Sequence, residues 1–237
     1  MIVFDGLTRK YGSRTVVDNL NLRVPDGAVF GFIGPNGAGK TTTLRMLMGL
    51  LRPSAGRATI DGFDVSTQSL EVRARVGYLP DDVFLYDYLT GRQFLEFIAD
   101  IRNISPDEAG KRIDEALERF SLVDAAGEYT ANYSFGMKKK LALAGIILHK
   151  PSVLLLDEPF NGLDPQAVKD FRTLLQRMAG EGVTILFSSH VLEVVEKLVS
   201  HVGVIAGGKL CASGPLGEIL AAPGESLETA FFKLIEP

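Results

Sequence analysis

The sequence predicts an α/β fold with a mostly parallel core sheet, an antiparallel β subdomain at the N-terminus and an inserted α-helical lobe. Three observations predict it. Short apolar runs at 28–33, 153–156, 183–187 and 202–205 have the length of buried strands. Helical spacings lie between the later runs, so strands alternate with helices and imply a parallel sheet covered on both faces. Residues 1–30 instead show short alternating stretches broken by turn residues, the mark of antiparallel strands.

The elements follow in order. Ile2, Phe4 and Leu7 lead to a turn at Tyr11-Gly12, and Val16, Val17, Leu20, Leu22 and Val24 lead to Pro25-Asp26-Gly27. After the run at 28–33 comes a Gly-rich loop, then helical spacing over 42–51 (Leu44, Leu47, Met48, Leu51), stopped by Pro53. Residues 57–60 with Asp61-Gly62 read as a strand and turn. From about 84 to 148 the pattern is helical, at Phe94, Phe97, Ile98 and Ile101 and again at Ile113, Ala116, Leu117 and Phe120. Ser105-Pro106-Asp107-Glu108 is a helix-start signal within this lobe. Further helices are expected around Val168, Phe171, Leu174, Leu175 and Met178, and over 192–198. Residues 213–237 read as a helix-prone tail broken at Pro215 and Pro223.

Composition narrows the function. The chain has 237 residues, with 25 Lys+Arg against 29 Asp+Glu and a formal net charge of −4. A nucleic-acid binder carries a basic excess, so that class is not expected. One cysteine, Cys211, excludes an intramolecular disulfide and suits a reducing compartment. The opening residues lack the basic and apolar regions of a signal peptide. No apolar run reaches the roughly 18–20 residues of a membrane span.

Two segments carry chemistry. Gly34-Pro35-Asn36-Gly37-Ala38-Gly39-Lys40-Thr41-Thr42 matches G-x-x-x-x-G-K-[ST] between a buried strand and a helix, the context that confirms a P-loop. Its glycines let backbone N–H groups turn toward phosphate oxygens, Lys40 reaches the β- and γ-phosphates, and Thr41 offers a hydroxyl to Mg²⁺. The fold class is therefore a P-loop NTPase, with ATP and Mg²⁺ as the expected ligands. In the second segment four apolar residues end at Asp157-Glu158-Pro159. Ligands of parallel sheets sit at such strand ends. Asp157 is placed to bind Mg²⁺ and Glu158 to act on an attacking water as general base. The plainer alternative is a solvated acid pair, which the P-loop makes the weaker reading.

With both segments in place, the chain resembles the ATP-binding subunit of ATP-binding-cassette (ABC) transporters, of the drug-exporter type, over about residues 1–215. The lobe at about 84–148 would be inserted in that ATPase domain, with 216–237 a short tail. The resemblance implies an adenine-stacking role for Tyr11 and an apolar contact beneath the base for Val17. It places the family signature at Tyr133-Ser134-Phe135-Gly136-Met137, with Phe135 for the usual Gly and Met137 for the usual Gln. Ser134 and Gly136 would meet the γ-phosphate held by a second subunit, although Ser134 also suits a simple helix cap. Lys138, Lys139 and Lys140 read as a solvated helix face. Asp81 stands where a Gln is usual and could take a water or Mg²⁺; a turn-forming Pro-Asp pair is the alternative. Asn161-Gly162-Leu163-Asp164-Pro165 resembles the loop that crosses the subunit interface, and His190 the γ-phosphate sensor. His149 and His201 receive no role.

The implied activity is ATP hydrolysis driving transport, most simply export. Implied partners are a separate integral membrane permease subunit and a second copy of this chain or a similar subunit, at the cytoplasmic face of a prokaryotic cell membrane. Large side chains at Phe84, Leu85, Tyr86 and Tyr88, with Asp81, Asp82 and Asp87, suggest the permease groove; packing of the lobe itself is the alternative. Two other classes compete: a soluble cassette ATPase outside transport, and a nucleotide-binding module without turnover. The complete set of Lys40, Asp157, Glu158 and His190 argues against the second.

Overall fold

The computed structural model describes residues 1–220, 222 and 224–235. Two long strands open the chain, β1 (Ile2–Tyr11) and β2 (Arg14–Val24). Strand β3 (Val29–Ile33) leads through the Gly-rich loop into helix α1 (Lys40–Leu47). Strands β4 (Ala55–Ile60) and β5 (Phe63–Asp64), helix α2 (Ser69–Arg75) and strand β6 (Val76–Leu79) follow. The helical lobe holds α3 (Gly91–Ile101), α4 (Pro106–Arg119) and α5 (Phe135–Ile147). The frame then resumes with β7 (Val153–Asp157), α6 (Pro165–Gly180), β8 (Thr184–Ser189), α7 (Leu192–Glu196) and β9 (His201–Ala206). It closes with β10 (Lys209–Pro215), α8 (Leu216–Ile219) and α9 (Leu227–Ile235).

The strands form two sheets. An antiparallel sheet has the order β2-β1-β4-β5, and the core sheet has the order β10-β9-β3-β8-β7-β6. In the core sheet every neighbour pair is parallel except β10 with β9. Its central strands are buried on both faces, and successive residues alternate between two cores. Leu154 and Leu156 join the cluster that reaches the lobe, while Val153 and Leu155 join the cluster under the antiparallel sheet. Period-two alternation splits one apolar strand between two cores in this way.

Local signals explain the lobe. Thr90 and Gln93 form a reciprocal capping box at the start of α3. Pro106 opens α4, and the Ser134 hydroxyl caps α5 by accepting from the Met137 N–H at 3.3 Å.

The fold differs from the sequence reading in three places, two of them corrections and one an element its sequence leaves unread. The sequence predicts a helix-prone tail from Ser213, yet Ser213 and Pro215 belong to β10, an edge strand folded back on β9 through the Gly207-Gly208 turn. Helices occupy only α8 and α9, and Pro223 lies outside the described residues, as do Glu236 and Pro237. Second, α2 carries too few apolar positions to read as a helix from its sequence; Val72 alone of its residues is buried. Third, the basic run is not a solvated face. Lys138 and Lys140 are partly exposed, but Lys139 is 1% exposed. On a helix, adjacent residues point about 100° apart, so three consecutive lysines cannot share one face: Lys139 turns inward while Lys138 and Lys140 flank it on either side.

Candidate nucleotide-binding site

The site forms because three neighbouring parallel strands end at one edge. The Gly-rich loop follows β3, Glu158 follows β7 and His190 follows β8, and β8 lies between the other two. The register sets Asp157 opposite Ser188. Such a carboxyl-end crevice is the general ligand position of parallel sheets.

An open cleft of about 500 Å³ lies there, lined from the loop by Asn36 through Thr42 and from other segments by Tyr11, Asp81, Glu158, Asn161 and His190. Gly34 and Pro35 begin the loop, and their carbonyl oxygens accept from the Lys40 ammonium at 2.7 and 3.3 Å. Gly39 has φ +106, and a Cβ there would come within 2.7 Å of the Val16 carbonyl, so the loop closes against β2 only with glycine at this point.

The polar centre is a short chain of contacts. Thr41 Oγ donates to Asp157 Oδ1 at 3.1 Å, and Ser188 Oγ donates to the same oxygen at 2.6 Å. Asp157 is buried, and burial pushes its carboxyl pKa up. The two hydroxyl donors pull it down again, and the nearby charges of Asp81 and Glu158 add a smaller upward push. The Glu158 carboxylate accepts from the backbone N–H and Nδ1 of His190 at 3.3 and 3.0 Å and lies 3.5 Å from the Lys40 ammonium. His190 itself is 44% exposed at the cleft edge. Asp81 accepts from the Asn161 amide at 3.3 Å, which ties the start of the lobe to the loop after Glu158.

The donor set suits a hard cation. Hydroxyl and carboxylate oxygens are the ligands Mg²⁺ prefers. Among the described residues no group of three or more His, Cys, Asp or Glu is arranged to hold a metal. The protein would thus supply only part of the coordination shell, as expected where phosphate oxygens and waters complete it.

Most of the residues singled out from the sequence converge here, with two exceptions. Val17 is wholly buried in the core beneath β2 and cannot lie under a base; its neighbour Val16 lines the cleft instead. Alternation along the strand sends adjacent side chains to opposite faces. Ser134 and Gly136 are not among the residues lining this cleft, and they stand at the N-terminus of α5. Sequence reading misses Arg14, which reaches the cleft, and Ser188 and Lys139, which support it from behind. Ser188 leaves a faint signal as a hydroxyl ending a buried apolar strand. Lys139 leaves none, because its partners are backbone carbonyls.

Comparisons with known proteins agree with this geometry. The family model described as ABC transporter matches residues 17–161. The bacitracin transport ATP-binding protein BcrA of Bacillus licheniformis is 42% identical over 214 residues, 90% of this chain and 69% of that protein. The daunorubicin resistance ATP-binding protein DrrA3 of Streptomyces coeruleorubidus is 40% identical over 223 residues, 94% of this chain and 71% of that protein. A solved ATP-binding subunit of an ABC transporter superposes with a TM-score of 0.90 at 29% identity, covering 99% of both chains. CbiO1 of Clostridium perfringens superposes with a TM-score of 0.85 at 29% identity, covering 98% of this chain and 93% of that one. A P-loop cleft, an acid pair at the end of β7 and this family match lead to one conclusion: the chain belongs to the ABC transporter family, as an ATP-binding and ATP-hydrolysing subunit.

Proposed function

We propose that this subunit powers export through a separate membrane permease, working as a head-to-tail pair that closes on ATP. The observation that carries the hydrolytic part is the Glu158 carboxylate, which lines the P-loop cleft between Lys40 and His190. In this reading Tyr11 stacks on the adenine, and the backbone N–H groups of residues 34–42 hold the phosphates. Lys40 leaves its carbonyl partners for the β- and γ-phosphates. Glu158 takes a proton from the attacking water, and His190 orients Glu158 and meets the γ-phosphate. Thr41 and Asp157, with Asp81 nearby, would hold Mg²⁺, which neutralises phosphate charge when bound. Ser134 and Gly136, absent from the cleft lining of their own chain, would complete the partner subunit's site from the N-terminus of α5.

Export is supported by the roles that BcrA and DrrA3 are named for, bacitracin transport and daunorubicin resistance. Pairing is supported by a fold likeness to MJ0796, solved as a dimeric cassette, with a TM-score of 0.83 at 23% identity. A membrane partner is supported by the likeness to CbiO1, which is part of the ABC transporter complex cbiONQ. Among the described residues no helix is long and apolar enough to cross a membrane. In this reading the subunit works at the cytoplasmic face, against the permease. The acting unit is residues 1–215, with the lobe at about 84–148 within it and 216–237 appended.

Glu158→Gln tests the assignment. It should lower kcat by at least about 10²-fold while ATP binding persists, as expected for loss of a general base. A variant turning over at the native rate would remove Glu158 from that role.

A further inference from the structure

Lys139 lies at the centre of the chain's basic run, yet its side chain turns inward from the first turns of α5. Its ammonium donates to the carbonyl oxygens of Asn161 at 2.7 Å, Glu158 at 3.2 Å and Pro159 at 3.3 Å. A lysine ammonium has three N–H donors and no acceptor, so three carbonyls saturate it. The Phe135 ring lies 5.2 Å from the same nitrogen. Phe135 also covers Gly162, where a Cβ would meet the ring at 2.6 Å and where φ is +70. Two side chains of α5, one cationic and one aromatic, thus grip the loop that follows Glu158.

Glu158 needs such a grip. Its φ is +44, a left-handed conformation that residues with a Cβ adopt only when their surroundings impose it. Its N–H donates to Ser188 Oγ at 2.9 Å. Its carbonyl accepts from Lys139. The peptide groups on either side of Glu158 are therefore fixed by two different side chains, and between them the carboxylate is aimed into the cleft. Burying a charge is unfavourable unless it is paired and hydrogen-bonded. Here the ammonium is matched by three carbonyl acceptors, and an apolar residue in its place would leave the carbonyls of Glu158, Pro159 and Asn161 without that donor.

We propose that Lys139 is a positioning residue for ATP hydrolysis: it clamps the carbonyls of Glu158, Pro159 and Asn161, imposes the left-handed backbone of Glu158 and so directs the carboxylate toward the attacking water. The inference rests on the reading of Glu158 as general base. Phe135, which departs from the common family pattern, closes the clamp over Gly162.

The test compares Lys139→Met, Lys139→Gln, Glu158→Gln and the Lys139→Met/Glu158→Gln double variant in the full chain. ATPase kinetics, fluorescent-nucleotide affinity and melting temperature are measured for each. Lys139→Met should lower kcat by about 10- to 100-fold, the size expected from a misplaced catalytic group, with KM and nucleotide affinity nearly unchanged. Lys139→Gln, which keeps two N–H donors, should fall between Met and native. In the Glu158→Gln background Lys139→Met should cost nothing further. Native kcat in Lys139→Met, a loss confined to KM, or additive losses in the double variant would each overturn the proposal. If Lys139→Met does not fold, Lys139→Gln decides: a kcat below native at unchanged KM supports the clamp, and native kcat overturns it. Loss of activity in Glu158→Gln alone would sink the clamp and leave the base reading standing. Native activity in Glu158→Gln would sink the base reading, and the clamp with it.

Discussion

Ser188 and Asp157 stand opposite each other in the parallel register of β8 and β7, and the serine hydroxyl donates to the carboxylate at 2.6 Å. The same hydroxyl accepts from the N–H of Glu158. One buried oxygen thereby serves both acids of the site.

Removing that oxygen should be felt twice. Ser188→Ala leaves a buried N–H and a buried carboxylate each short of a partner, at a cost of about 1–3 kcal/mol. A drop of several degrees in Tm is expected at this chain length. It should also lower kcat at saturating Mg²⁺ and ATP, because the amide side of Glu158 is released. An unchanged kcat would show that the Glu158 backbone holds its conformation without Ser188.

Tyr11 and Val17 should separate cleanly. Tyr11 is half exposed, and the Arg9 guanidinium lies 4.5 Å from its ring centroid, which leaves the other face for a base. Tyr11→Ala should raise the Kd for ATP by about threefold to tenfold, the worth of one aromatic stack, with little change in Tm. Val17→Ala should do the reverse, costing about 1–3 kcal/mol of stability and leaving nucleotide affinity intact. Equilibrium binding and thermal melting of the two variants read this directly.

His149 gives a pH dependence with a definite sign. Burial, with a smaller push from the Arg102 charge, lowers its pKa to about 4. Its Nε2 lies 3.2 Å from the Val76 carbonyl, and its Nδ1 is buried with no partner among the described residues. The unfolded chain thus binds this proton more readily than the folded one. Stability is full above about pH 6.5 and falls as the pH drops toward about 4. Because part of the ring meets solvent, the loss is about 2 kcal/mol or less. His149→Gln keeps a donor for Val76 and should flatten Tm against pH across that window. A slope unchanged in the variant would move the acid sensitivity to other groups.

The exposed aromatics of the lobe should matter only to a partner. Phe84 and Tyr88 are 83% and 92% exposed, and Tyr86 packs edge-on between Phe84 and Phe97, with ring centroids 6.0 and 5.3 Å apart. Leu85 instead points into the core. A Phe84→Ala/Tyr88→Ala variant should keep its Tm within about 2 °C, as for ordinary surface changes, and keep its basal ATPase rate. Its recovery with solubilised native membranes should drop at least about tenfold, as expected when interface aromatics are truncated. Full recovery would place the permease contact elsewhere.

Contiguous chemistry is legible in the sequence. The nine residues from Gly34 to Thr42, the acid pair ending an apolar run and the His ending another are each written in one stretch. Local backbone geometry suffices to make a phosphate loop or a strand end, so such stretches carry their meaning with them. The alternation of strands and helices likewise implies the parallel sheet without further information. Only the tertiary structure decided which of two adjacent valines faces the cleft, that residues 209–215 form an edge strand, and that a lysine in a basic run is buried. Each of these turns on what lies opposite in space. Lys139 depends on carbonyls about twenty residues away, Ser188 on a register across two strands, and Val16 against Val17 on the phase of a pleat. A charge in a basic run is usually solvated; this one is not, because a strained loop supplies three acceptors where it turns inward.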